Sequence, residues 1–128
     1  MGSLKMTPIY ERLAHARKHL DRVEPAELAE NLSAGAVLVD IRPEFFRLEE
    51  GGHPDALVIE RNVLEWRLDP NSDARIIDIE PDTPIIIMCN EGYASSLAAA
   101  DLQEMGFTAA TDLVGGYRAW RATQRAPA

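Results

Sequence analysis

The chain has 128 residues, 46% hydrophobic and 27% charged, the make-up of one ordinary globular domain, which excludes disordered, collagen-like and disulfide-scaffold classes. Thirteen lysines and arginines face 21 aspartates and glutamates, and the net charge of −8 repels nucleic-acid backbones and anionic lipid. Neither a nucleic-acid nor a membrane partner is therefore expected. The same field opposes a small anionic ligand unless local cations or backbone N–H groups overcome it. The longest apolar run, residues 85–89, is too short for a bilayer. Residues 1–6 lack the apolar core of a secretory signal, so a cytoplasmic location is expected. The single cysteine, Cys89, excludes an internal disulfide, and with three histidines a zinc site has little to build on. No metal and no cofactor are predicted.

Residues 7–21 place Ile9, Leu13, Ala16 and Leu20 at three- and four-residue spacing, predicting a packing helix opened by Thr7-Pro8. Arg22-Val23 reads as a short strand. A helix follows from Pro25 through Leu28 and Leu32 and stops at Gly35. Residues 36–41 are β-branched and continuously apolar up to Asp40, the pattern of a strand buried on both faces. A helical segment over 43–50, the turn Gly51-Gly52-His53-Pro54-Asp55 and a strand over 56–59 come next. Residues 62–68 read as a helix ended by Asp69-Pro70, and two prolines introduce a strand over 85–88. A helix over 95–105 closes at Gly106; a strand over 110–114 leads through Gly115-Gly116 into a last helix over 117–123. The alternation predicts an α/β fold with a mostly parallel sheet of four or five strands. The whole chain reads as a single domain, with 1–21 an N-terminal extension and 22–123 the core. Trp66 and Trp120 read as core anchors, and His15 and His19 as a solvated helix face.

In parallel sheets ligands bind beyond the carboxyl ends of the strands, which gathers Asp40 to Arg42, Glu60-Arg61, residues 89–94 and Gly115-Gly116 at one edge. Cys89 ends a strand and opens the turn Cys89-Asn90-Glu91-Gly92-Tyr93-Ala94, which runs into a helix near Ser95. Taken alone it is either a small buried filler or a reactive thiol. The setting favours the thiol, because a loop around a helix start points free N–H groups into one bowl and the helix dipole adds positive charge there. Such a bowl suits a thiolate and an anion beside it.

Val39-Asp40-Ile41-Arg42, Gly52-His53-Pro54-Asp55-Ala56, Ile87-Met88-Cys89-Asn90-Glu91-Gly92-Tyr93-Ala94-Ser95 and Leu113-Val114-Gly115-Gly116-Tyr117-Arg118-Ala119-Trp120 resemble, in order, the blocks of the single-domain rhodanese-like (thiosulfate sulfurtransferase) family. The resemblance implies a three-layer fold with a five-stranded parallel sheet flanked by helices. It also implies a sulfurtransferase that carries sulfane sulfur from a donor such as thiosulfate or mercaptopyruvate, as a Cys89 persulfide, to cyanide or a thiol. Asn90, Glu91, Gly92, Tyr93, Ala94 and Ser95 would form the substrate loop. Arg47 and Arg61 would supply cations for the donor, with Asp40 and Arg42 supporting as a structural pair. Having no second cysteine, the chain needs an external thiol acceptor, and a protein sulfur donor or acceptor fits equally; the oligomeric state stays open.

The loop departs from the thiosulfate-specialised pattern. Asn90 and Glu91 stand where cations occur, so Glu91 should oppose a doubly charged donor. Ala94 replaces a common hydroxyl residue, with the Ser95 hydroxyl expected to stand in, and the turn at His53 is one residue shorter than usual. A non-catalytic, regulatory or sulfur-relay module is the alternative from another class. A phosphatase or arsenate reductase would need Cys-x5-Arg, and Ser95 occupies the arginine's place.

Overall fold

The computed structural model describes residues 7–125, and the expectation placed on residues 1–6 lies outside them. Helix α1 (Pro8–Arg17) opens with the Thr7 hydroxyl accepting from the Tyr10 N–H. A 3₁₀ turn (Pro25–Glu27) leads into α2 (Leu28–Ser33), followed by β1 (Val37–Asp40), α3 (Glu44–Glu50) and β2 (Leu57–Val58). A second 3₁₀ turn (Arg61–Val63) runs into α4 (Leu64–Leu68), and then come β3 (Ile85–Met88), α5 (Ala94–Glu104), β4 (Ala110–Asp112) and α6 (Gly116–Gln124).

The sheet is parallel with order β2-β1-β3-β4. It has four strands rather than five. Val23 makes a single parallel bridge to Leu113, with the Val23 N–H on the Asp112 carbonyl and the Val114 N–H on the Val23 carbonyl, both at 2.9 Å. Pro25 offers no N–H and starts a 3₁₀ turn, so the pairing ends there.

Strand alternation divides the core. Val39, Ile85, Ile87 and Cys89 join Ala98, Ala99, Leu102, Leu64 and Leu68 in a cluster on one face. Leu38, Ile86 and Met88 join Val23, Leu28, Leu113 and Tyr117 on the other. Both faces of β1 and β3 are covered, which is why these strands read as unbroken apolar runs.

Two expected core residues lie outside. Ile9 is exposed, since α1 packs on α5 and buries only Leu13 and Ala16 from its own turns. Trp66 is 60% exposed, because α4 buries Leu64 and Leu68, one helical turn apart, and position 66 falls on the opposite side. Trp120 is half-buried and packs against the second cluster, its ring 4.4 Å from that of His53. No helix among the described residues is long and apolar enough to cross a membrane.

Candidate active site

The chain leaves β1 toward β2 on one side and later adds β3 and β4 on the other, so a crevice opens beyond the carboxyl ends of β1 and β3. A pocket of about 430 Å³ fills it. Ile41, Arg42 and Pro43 line it after β1, and Cys89, Asn90, Glu91 and Ala94 after β3; Phe46, Glu60, Arg61, Asn62 and Arg118 complete the wall. His15 and His19 lie in a separate groove between α1 and α5, and no cluster of metal-ligating side chains exists among the described residues.

Alternation along β3 turns Cys89 toward α5, where it is buried. Its Sγ accepts the Gly92 N–H at 3.2 Å and the Ser95 N–H at 3.4 Å. The second donor belongs to the first turn of α5, an orphan amide that no helical carbonyl can reach. The loop closes tightly enough to require glycine at two places. Gly92 has φ +86°, and a Cβ there would sit 2.7 Å from the Gly115 nitrogen; a Cβ on Gly116 would sit 2.5 Å from the Cys89 carbonyl oxygen. The space that glycine leaves lets α6 dock on the loop. The Tyr117 N–H donates to the Cys89 carbonyl at 2.7 Å, and the Arg118 N–H to that of Asn90 at 3.1 Å.

The loop residues divide by role in the geometry. Asn90, Glu91 and Ala94 face the pocket, whereas Gly92, Tyr93 and Ser95 do not line it. The Ser95 hydroxyl, expected to stand in for a missing loop hydroxyl, is fully buried and donates to Asp112 at 2.7 Å. A buried carboxylate holds it because that bond satisfies both groups away from water.

Asp40 and Arg42 form the structural pair the sequence suggested. The guanidinium forks onto the Asp40 carboxylate at 2.7 and 3.0 Å, with both side chains 1% exposed. Its remaining N–H groups reach the Gly51 carbonyl at 2.8 Å and the Asn90 side-chain oxygen at 3.3 Å, and its face lies over the Tyr117 ring. Arg47 is placed differently from expectation. It does not line the pocket, and its guanidinium reaches back from the last turn of α3 to donate to the Arg42 carbonyl instead. Arg61 does line the pocket, bonded to Glu65 at 3.0 Å and Asp101 at 2.7 Å.

Sequence reasoning missed Arg118, which lines the pocket from the first turn of α6. It bonds both oxygens of Glu50 at 3.0 and 2.9 Å and meets Glu91 at 3.3 Å. Those bonds hold the Glu50 carboxyl below its ordinary value and raise the guanidinium. The signal was the rule that placed Gly115-Gly116 at the sheet edge, which applies equally to the next helical turn. Each arginine lining this pocket therefore already has a carboxylate partner.

Comparison with known proteins agrees with this geometry. The rhodanese-like domain family matches residues 24–123. The thiosulfate sulfurtransferase GlpE of Ectopseudomonas mendocina is 38% identical over 104 residues, covering 80% of this chain and 85% of that one. A Rhodopseudomonas palustris protein of unknown function, described as a possible tyrosine phosphatase, superposes with a TM-score of 0.80 at 27% identity over 97% of this chain and 96% of its own. The human single-domain sulfurtransferase superposes at 0.64 and 25% identity, over 83% and 97%. Four strands, a crevice with one thiol in it and a match across most of two chains lead to the same place: this protein belongs to the rhodanese-like family and is a sulfurtransferase.

Proposed function

We propose that Cys89 carries sulfane sulfur between an external donor and an external acceptor. The thiolate attacks the outer sulfur of thiosulfate, a new S–S bond forms at Cys89, the donor's S–S bond breaks, and sulfite leaves with the electron pair. Cyanide or a thiolate then attacks the outer sulfur of the persulfide, the new bond breaks toward Sγ, and the Cys89 thiolate returns. The observation that carries this reading is the pair of backbone N–H groups on Sγ at the wall of an open pocket. Fixed donors of this kind stabilise negative charge on sulfur without reorganising. Asp40 and Arg42 support the loop through Asn90, and Glu91, Arg61 and Arg118 set the charge that a donor meets. The whole chain acts as one unit in this reading, with 22–123 as its core.

Paired arginines and Glu91 together give a dianion no unmatched cation at the pocket wall, so a singly charged donor such as mercaptopyruvate should outrank thiosulfate. The same pairing favours, as a second reading, a protein persulfide as donor. Beside it, Phe45 and Leu48 on α3 are exposed at 61% and 78%. A phosphatase reading is opposed by residues 90–95, Asn-Glu-Gly-Tyr-Ala-Ser, which contain no arginine.

Intact mass after incubation with each donor, followed by cyanide, tests the proposal. Wild type should gain one sulfur and lose it to cyanide, while Cys89→Ser should gain none and lose turnover by at least about 1000-fold. A wild type that stays unmodified by both small donors would turn the search to a protein partner.

A further inference from the structure

The back of the catalytic loop, away from the pocket, carries an arrangement that the sulfur-transfer cycle does not use. Arg17, at the end of α1, donates to the Gly92 carbonyl at 2.7 Å and through Nε to the Ser96 hydroxyl at 2.9 Å, and it lies over the Tyr93 ring. Arg22 donates to the same Gly92 carbonyl at 2.9 Å and forks onto Asp112 at 2.8 and 3.1 Å. Ser95 and Ser96 both donate to Oδ2 of that carboxylate at 2.7 Å, an oxygen they share with Arg22. Two guanidiniums thus converge on one carbonyl oxygen, and the buried Asp112 offsets their repulsion. Burial and the neighbouring Arg22 pull Arg17 below its ordinary value.

The two amides on Cys89 Sγ come from Gly92 and Ser95. Both are also gripped by this network, Gly92 by its carbonyl and Ser95, beside Ser96, by its hydroxyl. Gly92 is wedged from both sides, since a Cβ on it would meet Arg22 at 3.3 Å as well as the Gly115 backbone. Both arginines precede residues 24–123, the stretch that the family shares.

We infer that Arg17, from the N-terminal extension, and Arg22, at the start of the core, are positioning residues that clamp the catalytic loop from behind and hold the Gly92 and Ser95 amides on the Cys89 sulfur. The inference rests on the loop serving a reactive Cys89 but not on any sulfur donor. Helix α1 is then part of the enzyme's working apparatus rather than an accessory packed on α5.

The test reads the pH–rate profile of Cys89 alkylation by iodoacetamide, beside thermal melting, for the full chain. Arg17→Gln is the first variant because, among the described residues, Arg17 makes no ion pair with a carboxylate, and Asp112 keeps Arg22 as its partner when Arg17 is lost. Alkylation near neutral pH should slow by about three- to tenfold, the worth of one or two hydrogen bonds, and its profile should move to higher pH. Melting should stay within about 3 °C. Arg17→Lys should recover part of the rate, and Arg12→Gln, an exposed α1 residue at the separate groove between α1 and α5, should match wild type. An Arg17→Gln profile that overlays wild type overturns the inference, whatever happens to melting. Should that variant not fold, Arg17→Lys is read alone, and a profile identical to wild type overturns it too. Alkylation needs no sulfur donor, so a wild type that accepts no sulfur from either small donor turns the transfer proposal toward a protein donor and leaves the clamp result standing on its own.

Discussion

Two of the arginine–carboxylate contacts that border the pocket differ in nearly everything but chemistry. Asp40 and Arg42 are 1% exposed, with the guanidinium forked, stacked on Tyr117 and tied to Asn90. Arg118 and Glu91 are 46% and 61% exposed, and they meet through a single contact at 3.3 Å. The buried pair fixes where the loop begins, and its loss strands a charge away from water. The exposed pair is screened and loosely held, contributing little to stability, but both of its members line the pocket. Position is set by the deep pair and charge by the shallow one.

The sharpest way to break that contrast is Arg42→Ala, which leaves Asp40 buried without its partner. It should cost about 3–5 kcal/mol in urea unfolding and take sulfur transfer with it. Arg42→Lys keeps the charge but cannot fork, so it should fall between wild type and Arg42→Ala by the same measurement. Glu91→Gln should do the opposite, shifting unfolding by under about 0.5 kcal/mol. Its kcat/KM for thiosulfate should rise several-fold at low salt and converge on wild type as salt screens the pocket; equal salt dependence in both proteins would deny Glu91 its role in selecting donors.

The smallest effect concerns pH. The Arg118 bonds hold Glu50 below its ordinary carboxyl value of 4.5. A carboxylate lowered in the fold gives stability that is complete above pH 4.5 and is lost as pH falls through its folded value. Arg118→Gln should therefore flatten the acid limb of a stability–pH curve, lowering stability slightly near neutrality and leaving it unchanged below the folded value of Glu50. His53 adds to the same limb. Burial lowers its value from 6.5, so its neutral form is favoured in the fold and acidification below that value works against the folded state.

Much of the centre was legible in the sequence. The strands β1 and β3 announced themselves because both faces are buried, and Cys89 followed from the strand–loop–helix join. The Asp40–Arg42 pair was legible because its members are two residues apart. What escaped is long-range. Arg17 and Arg22 act on a carbonyl 75 and 70 residues away, and nothing local marks them off from solvated arginines. Asp112 looked like an ordinary strand residue, although it is fully buried and answers two serines and an arginine. The fifth strand was over-read because Val23 has the right side chain for a strand while Pro25 denies it length.

The docking of α6 on the loop carries a last consequence. The first amides of a helix normally look for a side-chain cap or water, but here Tyr117 and Arg118 give theirs to the carbonyls of Cys89 and Asn90. Cap and catalytic loop are thus the same hydrogen bonds, and neither can open without the other. Those two amides become native reporters of loop opening: their exchange with deuterium should follow the loop's own breathing. A thiol loaded with sulfur could then be followed through the protection of two backbone amides bonded to the back of its own loop.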